Sequence, residues 1–212
     1  MRVVMLGPPG SGKGTQAERL ARKRGVPRIS TGDMLRDAVQ ADSPLGRAAR
    51  AIMDAGRLVG DDVMLGVVRE RLERPDVSNG FVLDGFPRTV AQAVVLDEML
   101  DRTWPIAVVS IEVPEAALVE RLGARRICEK CGWSPEPGVT SCERCGGQLV
   151  RRKDDTVEVV RERLRVYERD TQPLIDFYQG RSGFRVVDGD QTPDAVAADL
   201  AAAVASVTGG HR

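Results

Sequence analysis

The sequence predicts an α/β fold in which a parallel sheet is covered by helices on both faces. Short apolar runs, with the length and composition of buried strands, alternate along the chain with longer segments of helical period. The first run stops at a glycine-rich turn, and one later segment, 126–152, breaks the alternation because it is rich in Cys, Gly and Pro. The 212 residues, 42% of them hydrophobic, suffice for one substantial core with a small insertion.

Four apolar runs are predicted to form buried strands, at 3–6, 81–83, 106–111 and 184–187. Helical patterns lie between them: one ends near 24, and others cover about 91–100, 115–122, 156–169 and 194–204. Thr31 is predicted to cap a further helix, Pro44 to begin another that ends near 56, and Asp61 to cap a third that ends near 73. The stretch 30–59 has few strand signals, which predicts a second, helical insertion.

The balance of charge and the scarcity of aromatic residues narrow the classes of function. The formal net charge is zero and aromatic residues make up 4%, which argues against a nonspecific nucleic-acid binder and a membrane-surface protein. The N-terminal apolar run is too short for a signal peptide, and no run approaches the roughly 18 apolar residues of a membrane helix. We therefore expect a cytoplasmic protein with reduced cysteines. The single histidine, His211, lies in a glycine-rich tail, which excludes histidine-based catalysis.

The motif Gly7-Pro8-Pro9-Gly10-Ser11-Gly12-Lys13-Gly14-Thr15 follows a predicted strand and precedes a helix, as a phosphate-binding loop (P-loop) requires. Its glycines let backbone N–H groups turn inward towards phosphate oxygens, and the helix start adds the positive end of a dipole. Lys13 then reaches the transferred phosphate as a point charge. The hydroxyl that usually follows the lysine and binds Mg²⁺ is moved by one position, to Thr15. A glycine-rich turn without a ligand is the weaker alternative, given the full spacing.

The four cysteines form two pairs, each with two residues between its members: Cys128, Cys131, Cys142 and Cys145. Each pair precedes a glycine, as tight metal-binding turns need, and ten residues separate the pairs. Four thiolates suit a tetrahedral Zn²⁺ with no open position, so we expect a structural rather than a catalytic site. Unliganded surface thiols and a redox dithiol are the alternatives; the second is disfavoured because neither pair lies at the start of a predicted helix.

Four motifs, in this order, resemble those of the bacterial adenylate kinases with a long, zinc-containing lid. They are the segment 7–15, Ile29-Ser30-Thr31-Gly32-Asp33-Met34-Leu35-Arg36, Asp84-Gly85-Phe86-Pro87-Arg88-Thr89, and Arg152-Lys153-Asp154-Asp155. The resemblance runs nearly end to end, and Gly14-Thr15 is itself typical of the family. The lid departs from the family's pattern: the interval 131–142 is short, the stretch 132–135 lacks the usual residues, and Cys145 stands where relatives often carry Asp.

The resemblance implies a P-loop NTPase fold with a five-stranded parallel sheet flanked by helices. It implies three domains: a core (1–29, 60–123 and 156–212), a helical AMP-binding domain (30–59), here called the arm, and a zinc-ribbon-like lid (124–155). The implied activity is reversible transfer of the terminal phosphoryl group of Mg-ATP to AMP, giving two ADP, with a role in adenine nucleotide homeostasis. Zn²⁺ in the lid and Mg²⁺ with ATP are the implied cofactors, and we expect a monomer.

The family's functional residues are carried over one position at a time. The resemblance implies ATP contacts at Gly10, Ser11, Gly12, Lys13, Gly14, Thr15, Arg121, Arg125, Ser134, Pro135 and Gln191. It implies AMP contacts at Thr31, Arg36, Arg57, Leu58, Val59, Gly85, Phe86, Pro87, Arg88, Gln92, Arg152 and Arg163. The residues expected to act in catalysis are Lys13, Asp84, Arg88, Arg125, Arg152 and Arg163.

Phosphoryl transfer needs positioned cations more than covalent chemistry, and arginine suits this role because its planar fork binds two phosphate oxygens. Arg88 directly follows a strand end and a Gly-Phe-Pro turn, at the edge where parallel sheets bind ligands. Arg161 and Arg163 both border the apolar stripe of one predicted helix, so spacing leaves both open and the resemblance selects Arg163. Asp84, at a strand end, can hold Mg²⁺ or its waters, or it can cap a turn.

Other functions stay open at this point. The nearest is the same fold with GMP, UMP or CMP as acceptor, although Thr31 and Gln92 match the family's adenine-reading positions. A GTP-dependent AMP kinase is the second alternative. A zinc-ribbon binding module on a P-loop scaffold, serving as a switch or nucleic-acid adaptor, is the third, and neutral charge and sparse aromatics disfavour it.

Overall fold

The computed structural model describes residues 1–100, 105–135, 138–152 and 154–209. His211 and Lys153, which the sequence analysis singled out, lie outside these ranges. The described residues contain no helix that is long and apolar enough to pass through a lipid bilayer.

One sheet of five parallel strands organises the described chain, which confirms the predicted fold class. In chain order the strands are β1 (Arg2–Leu6), β2 (Arg28–Ser30), β3 (Phe81–Asp84), β4 (Ile106–Glu112), β5 (Arg126–Cys128), β6 (Leu149–Arg151) and β7 (Phe184–Asp188). The order across the sheet is β2-β3-β1-β4-β7, and central β1 pairs Val4 with Leu83 on one side and with Val108 on the other. Strands β5 and β6 form a separate antiparallel pair.

The side chains of β1 divide between two apolar clusters because successive strand residues point to opposite faces of a sheet. Val4 and Leu6 belong to one cluster, and Val3 and Met5 belong to the other, which includes Leu20 of the first helix. Because both faces are covered, the central strands are apolar on both sides. This is why they stand out in the sequence as continuous apolar runs.

Helices flank the sheet and extend from it: α1 (Lys13–Arg24), α2 (Thr31–Gln40), α3 (Pro44–Asp54), α4 (Asp61–Leu72), α5 (Val90–Met99), α6 (Glu115–Ala124), α7 (Val157–Val166), α8 (Pro173–Gln179) and α9 (Pro193–Thr208). A 3₁₀ turn at Pro75–Val77 and a π-helix at Tyr167–Thr171 also occur. Helices α2 and α3 fall within the arm, and β5 and β6 within the lid. The domain boundaries themselves stay a prediction.

Two helix starts differ from the prediction by one residue. Ser30, not Thr31, caps α2, because the Ser30 hydroxyl accepts a hydrogen bond from the Asp33 N–H at 3.3 Å. Gly60, not Asp61, precedes α4. Thr31 and Asp61 are each the first helical residue, and their side-chain oxygens are bound to other segments of the chain. A polar residue near a helix start therefore has two possible uses, and the local pattern does not separate them.

Strand β2 and the π-helix carried no usable signal in the sequence. Strand β2 has only three residues and begins with an arginine. The helix predicted for 156–169 ends at Val166, where the π-helix begins and Gln172 N–H donates to the Tyr167 carbonyl. This bond spans five residues instead of the four of an α-helix. The additional residue in the turn changes the direction in which the side chains point before α8 starts at Pro173.

Candidate active site

A cleft of about 2100 Å³ opens beside the carboxyl ends of β1 and β3, between the P-loop, the arm and the lid. Open parallel sheets bind their ligands at this edge. The structure brings every residue predicted to contact a nucleotide to its wall: Gly10, Ser11, Gly12, Lys13, Gly14, Thr15, Thr31, Arg36, Arg57, Leu58, Val59, Gly85, Phe86, Pro87, Arg88, Gln92, Arg121, Arg125, Ser134, Pro135, Arg152, Arg163 and Gln191. Asp84 lines the same cleft.

The P-loop takes its shape from glycines that no other residue could replace without strain. Gly7, Gly10 and Gly12 have φ of 135°, 88° and 89°. At Gly10 a Cβ atom would lie 3.0 Å from the Leu118 carbonyl, so α6 presses directly against the loop. Gly12 has no side chain with which to cap α1, and the N–H groups of the first turn are therefore available to phosphate oxygens.

Lys13 lies across the loop and donates to the Gly7 carbonyl at 2.5 Å and to the Pro8 carbonyl at 2.7 Å. Burial lowers the pKa of Lys13 to about 7. The charge of Asp84 opposes this shift, and the charges of Arg88, Arg163 and Arg125 add to it. The ammonium thus faces an excess of positive charge, which an anionic phosphate would neutralise.

Two carboxylates, the buried Asp155 and the half-buried Asp154, hold three of the predicted phosphate-binding arginines. Asp155 accepts two hydrogen bonds from Arg125, at 2.7 and 2.5 Å, and a third from Arg163 at 2.8 Å. Asp154 accepts two from Arg152, at 2.8 and 2.5 Å, and its Oδ2 also lies 3.3 Å from Arg163. Arg125 and Arg152 each donate through two nitrogens of the fork and Arg163 through Nη1 alone, and these charge-assisted bonds hold the three guanidinium groups in place.

The cations of the cleft lie close enough to perturb one another. Burial lowers the pKa of Arg163 to about 10, and Arg125 and Arg152 add to this shift while Asp154 opposes it. Burial would raise the pKa of Asp154, but Arg152, Arg163 and Arg125 hold it well below the usual range. Asp154 therefore stays charged, and the cluster is built to receive further negative charge.

Arg88 is fixed through its backbone as well as its side chain. Its N–H donates to Gln92 Oε1 at 2.7 Å, its carbonyl accepts from Thr171 Oγ1 at 2.9 Å, and its Nε donates to the Gly85 carbonyl at 2.9 Å. Burial lowers the pKa of Arg88; Asp84 opposes this, while Arg36 and Arg152 add to it. Arg88 thus interacts electrostatically with Arg36 of the arm and Arg152 of the lid.

On the arm side, Thr31 Oγ1 donates to the Gly85 carbonyl at 2.8 Å, which joins α2 to the turn after β3. Arg36 bonds Asp33, which also pairs with Arg28 at 2.8 Å. Asp33 therefore braces two arginines of the cleft and does not cap α2. Of the remaining arm residues on the wall, Val59 is buried, Leu58 is half-buried and Arg57 is exposed.

On the opposite side, Arg121 donates to the Gly189 carbonyl at 2.9 Å and to Asp190 at 3.1 Å. Gln191 donates to the Asp188 carbonyl at 3.1 Å, also through its side chain. In the lid, the Ser134 hydroxyl lies 3.4 Å from the Arg126 carbonyl. These side chains line the cleft, but their bonds run to the end of β7, to the loop before α9, to Asp199 of α9 and within the lid.

The donor set near the loop suits a hard cation such as Mg²⁺. Asp84 ends β3, and its Oδ2 lies 3.5 Å from where a Cβ would stand on Gly14. The same oxygen accepts from Arg28 at 3.0 Å. Asp84 therefore has a partner of its own, and together with the Thr15 hydroxyl it supplies the oxygen ligands that Mg²⁺ prefers.

The four cysteines of the lid form one cluster, with all Sγ atoms within 4.8 Å of one another. Cys128 lies 3.5 Å from Cys145, and Cys142 lies 3.5 Å from Cys131 and 3.7 Å from Cys145. A tetrahedral ZnS₄ site with bonds of about 2.3 Å has edges of about 3.8 Å, so the cluster fits Zn²⁺. The distances are far beyond a disulfide of about 2.05 Å.

Local backbone geometry explains why the thiols converge. Gly132 N–H donates to the Cys128 carbonyl at 2.9 Å, and Gly146 N–H donates to the Cys142 carbonyl at 2.8 Å. Both glycines have positive φ, 68° and 66°, so each pair ends in the same tight turn. A Cβ on Gly147 would lie 2.8 Å from Cys128 Sγ, which leaves no room there for a larger residue.

Comparison with known proteins decides the family. A model of the family described as adenylate kinase matches residues 5–183, which include the P-loop lysine, the arginine cluster and the cysteines. The chain belongs to the adenylate kinase family.

Curated adenylate kinases resemble the chain over nearly its whole length. The one from Desulfitobacterium hafniense (strain DSM 10664 / DCB-2) is 49% identical over 94% of this chain and 96% of its own. That from Archaeoglobus fulgidus is 48% identical over 92% and 94%, and that from Symbiobacterium thermophilum is 47% identical over 96% and 98%. The cysteine cluster fits the zinc-containing type of adenylate kinase.

Sequence reasoning missed how this adenylate kinase holds its arginines. It named Asp154 and Asp155 only as members of the motif 152–155, whereas both carboxylates bind the guanidinium groups of the cleft. The signal was present, because two adjacent acids follow the basic pair Arg152-Lys153. Thr171 gave no signal, since it reaches Arg88 only through the π-helix and across 83 positions of sequence.

Proposed function

We propose that this adenylate kinase binds ATP on the P-loop and AMP beneath the arm, and transfers the terminal phosphoryl group of Mg-ATP to AMP to give two ADP. The convergence of cations from opposite walls supports the proposal most. Lys13 approaches from the loop, Arg36 and Arg88 from the arm side, and Arg125, Arg152 and Arg163 from the lid side. Two nucleotides bring enough negative charge to balance such a cluster.

The chain's own residues act by position and charge. The loop N–H groups and Lys13 hold the ATP phosphates, and Arg88 holds the AMP phosphate so that its oxygen faces the terminal phosphorus of ATP. Arg125 and Arg163 stabilise the charge that spreads over the transferred oxygens. No general base is needed, which agrees with a sequence whose single histidine lies in the tail. Mg²⁺, when bound with ATP, neutralises phosphate charge, and Asp84 and Thr15 would hold it or its waters.

The lid excludes water, which would otherwise accept the phosphoryl group. Arg144, between the cysteines of the second pair, donates to Glu18 Oε1 of α1 at 2.6 Å, so the lid contacts the P-loop helix. Cys128, Cys131, Cys142 and Cys145 would hold a structural Zn²⁺ that keeps the lid rigid.

Compartment and assembly follow from the same site. Free thiols at metal-site distances favour a reducing compartment, and we place the enzyme in the cytoplasm. The six cations named above belong to this chain, and we expect the enzyme to be active as a monomer.

An acceptor panel tests the proposal. Purified enzyme is incubated with ATP and Mg²⁺ and with AMP, GMP, UMP or CMP, and diphosphate formation is followed; a second series replaces ATP with GTP. We expect ATP plus AMP to give the highest kcat/KM by far, and Lys13→Met to lose it by several orders of magnitude. Preference for another monophosphate or for GTP would contradict the proposal. If the protein shows no phosphotransfer and shifts nucleic acid in a gel, it is a binding module instead.

A further inference from the structure

Both ends of the Gln92 side-chain amide are bonded to the protein. Gln92 lies on α5 at the wall of the cleft and is only 2% exposed. Its Oε1 accepts from the Arg88 N–H at 2.7 Å, and its Nε2 donates to Asp61 Oδ1 at 2.7 Å. One N–H of the amide nitrogen and one lone pair of the oxygen are left for a ligand.

These two bonds fix which end of the amide is oxygen. A backbone N–H only donates and a carboxylate only accepts, so a flipped amide would set donor against donor at Arg88 and acceptor against acceptor at Asp61. In a buried site, each mismatch disfavours the flip by about tenfold or more. Asp61 is the stronger of the two controls because its bond to Gln92 is charge-assisted.

Asp61 is itself held in place. Its second oxygen, Oδ2, accepts from Thr89 Oγ1 at 3.0 Å, and Thr89 in turn caps α5 by accepting from the Gln92 N–H at 3.2 Å. Asp61 also occupies the first turn of α4, where the helix dipole favours a negative charge. The carboxylate thus links α4 to the start of α5 and presents one oxygen to the Gln92 amide.

We propose that Asp61 is a specificity-determining positioning residue that locks the Gln92 amide in the orientation complementary to adenine. Adenine offers an acceptor at N1 beside a donor amino group, which matches the remaining N–H and lone pair of Gln92. Hypoxanthine and guanine offer a donor at N1 beside a 6-oxo acceptor, which only a flipped amide would match. The inference rests on the proposed function and on the family resemblance, which implies that the acceptor base meets Gln92.

The decisive substitution is Asp61→Asn. Asparagine keeps the size of the side chain but can turn either an oxygen or an NH₂ group towards Gln92, so it tolerates both orientations of the Gln92 amide. IMP is the probe, because hypoxanthine reverses the hydrogen-bonding edge of adenine without an additional substituent. We expect the ratio of kcat/KM for AMP to that for IMP to fall about tenfold, with AMP still preferred because the Arg88 N–H continues to favour one orientation.

Asp62→Asn is the matched control. Asp62 is the next residue of the same helix turn and is exposed, so its change alters the charge of α4 by the same amount without touching Gln92. We expect the AMP to IMP ratio to stay within twofold of the unaltered enzyme. If IMP turnover is too slow to measure, competition of IMP against AMP in isothermal titration calorimetry gives the ratio of dissociation constants instead.

Two kinds of failure are distinguishable. Equal losses for AMP and IMP in Asp61→Asn, with a lowered Tm, would mean that Asp61 only supports the fold and would overturn the inference while leaving the proposed function intact. If Asp61→Asn does not fold, Asp61→Ser, measured in the same two ways, provides the test. Failure of the unaltered enzyme to phosphorylate AMP would overturn the proposed function and this inference together.

Discussion

Asp155 binds two of the proposed phosphate-binding arginines, and its replacement by asparagine is predicted to impair both stability and catalysis. The carboxylate is fully buried, at 0% exposure, and accepts three hydrogen bonds from Arg125 and Arg163. Asparagine keeps the shape of the side chain but removes the negative charge that lies between two guanidinium groups and offsets their repulsion. Removing one partner from a buried ion pair costs about 3–5 kcal/mol.

The expected loss of stability lies near the lower end of that range. The side chains of Arg125 and Arg163 are 22% and 18% exposed, so water screens part of the charge left behind. A loss of about 3 kcal/mol corresponds to a fall in Tm of about 6–12 °C for a chain of this size. Displacing two phosphate-binding groups by about 1 Å lowers kcat by about 10²-fold or more.

Calorimetric melting and a coupled assay of ADP formation measure the two effects in one preparation. Asp76→Asn is the matched control, because Asp76 also accepts two hydrogen bonds from one arginine, Arg71, at 2.9 and 2.8 Å, but is exposed. We expect Asp76→Asn to change Tm and kcat little, since surface ion pairs contribute little. A variant Asp155→Asn that melts within about 2 °C of the unaltered enzyme and keeps half its kcat would refute the role given to Asp155.

Three further predictions concern Lys13, the lid metal and the contact of the lid with α1. Burial lowers the pKa of Lys13 from 10.5 to about 7, so between these values the unfolded chain binds a proton that the folded chain lacks, and the stability of the nucleotide-free enzyme rises with pH. The free energy of unfolding, measured with urea at pH 7 and at pH 9, should rise more in the unaltered enzyme than in Lys13→Met, by up to about 1.4 kcal/mol per pH unit. Equal rises in the two proteins would contradict the prediction. Chelation of the metal proposed for the lid should lower Tm more than turnover at low temperature, because that metal would brace the lid rather than the reacting groups, and proportionate losses would count against this. Glu18→Gln removes the exposed pair with Arg144 and should raise the KM for ATP by less than about fivefold, an effect that high salt abolishes; no difference at low salt would show that the pair does not help to close the lid.

The parts of the fold that local sequence encodes could be predicted, whereas most of the candidate site residues came from the family resemblance. The P-loop is one uninterrupted motif whose glycines must adopt positive φ, so the turn and its lysine were predictable without tertiary information. The cysteine cluster was predictable because the spacing within each pair already fixes a tight turn. The central strands were predictable because both of their faces are buried.

The parts that depend on distant partners could not be predicted. Asp61 has the local features of a helix cap, and its partners Thr89 and Gln92 lie 28 and 31 positions away. Thr171 reaches Arg88 only because the π-helix rotates the chain before α8. Arg161 and Arg163 border the same helix stripe, and only the packed structure brings Arg163 against Asp154 and Asp155. Periodicity and spacing describe neighbours in sequence, whereas these contacts are made by side chains that fold together.

A crystal structure of the enzyme with AMP and a non-hydrolysable ATP analogue tests most directly whether one cluster of cations holds both nucleotides. We expect the terminal phosphate of the ATP analogue within hydrogen-bond distance of Lys13 Nζ and of the guanidinium groups of Arg125 and Arg163, with the AMP phosphate on Arg88. Phosphates bound elsewhere, with these four side chains still bonded only to protein groups, would contradict the proposed site.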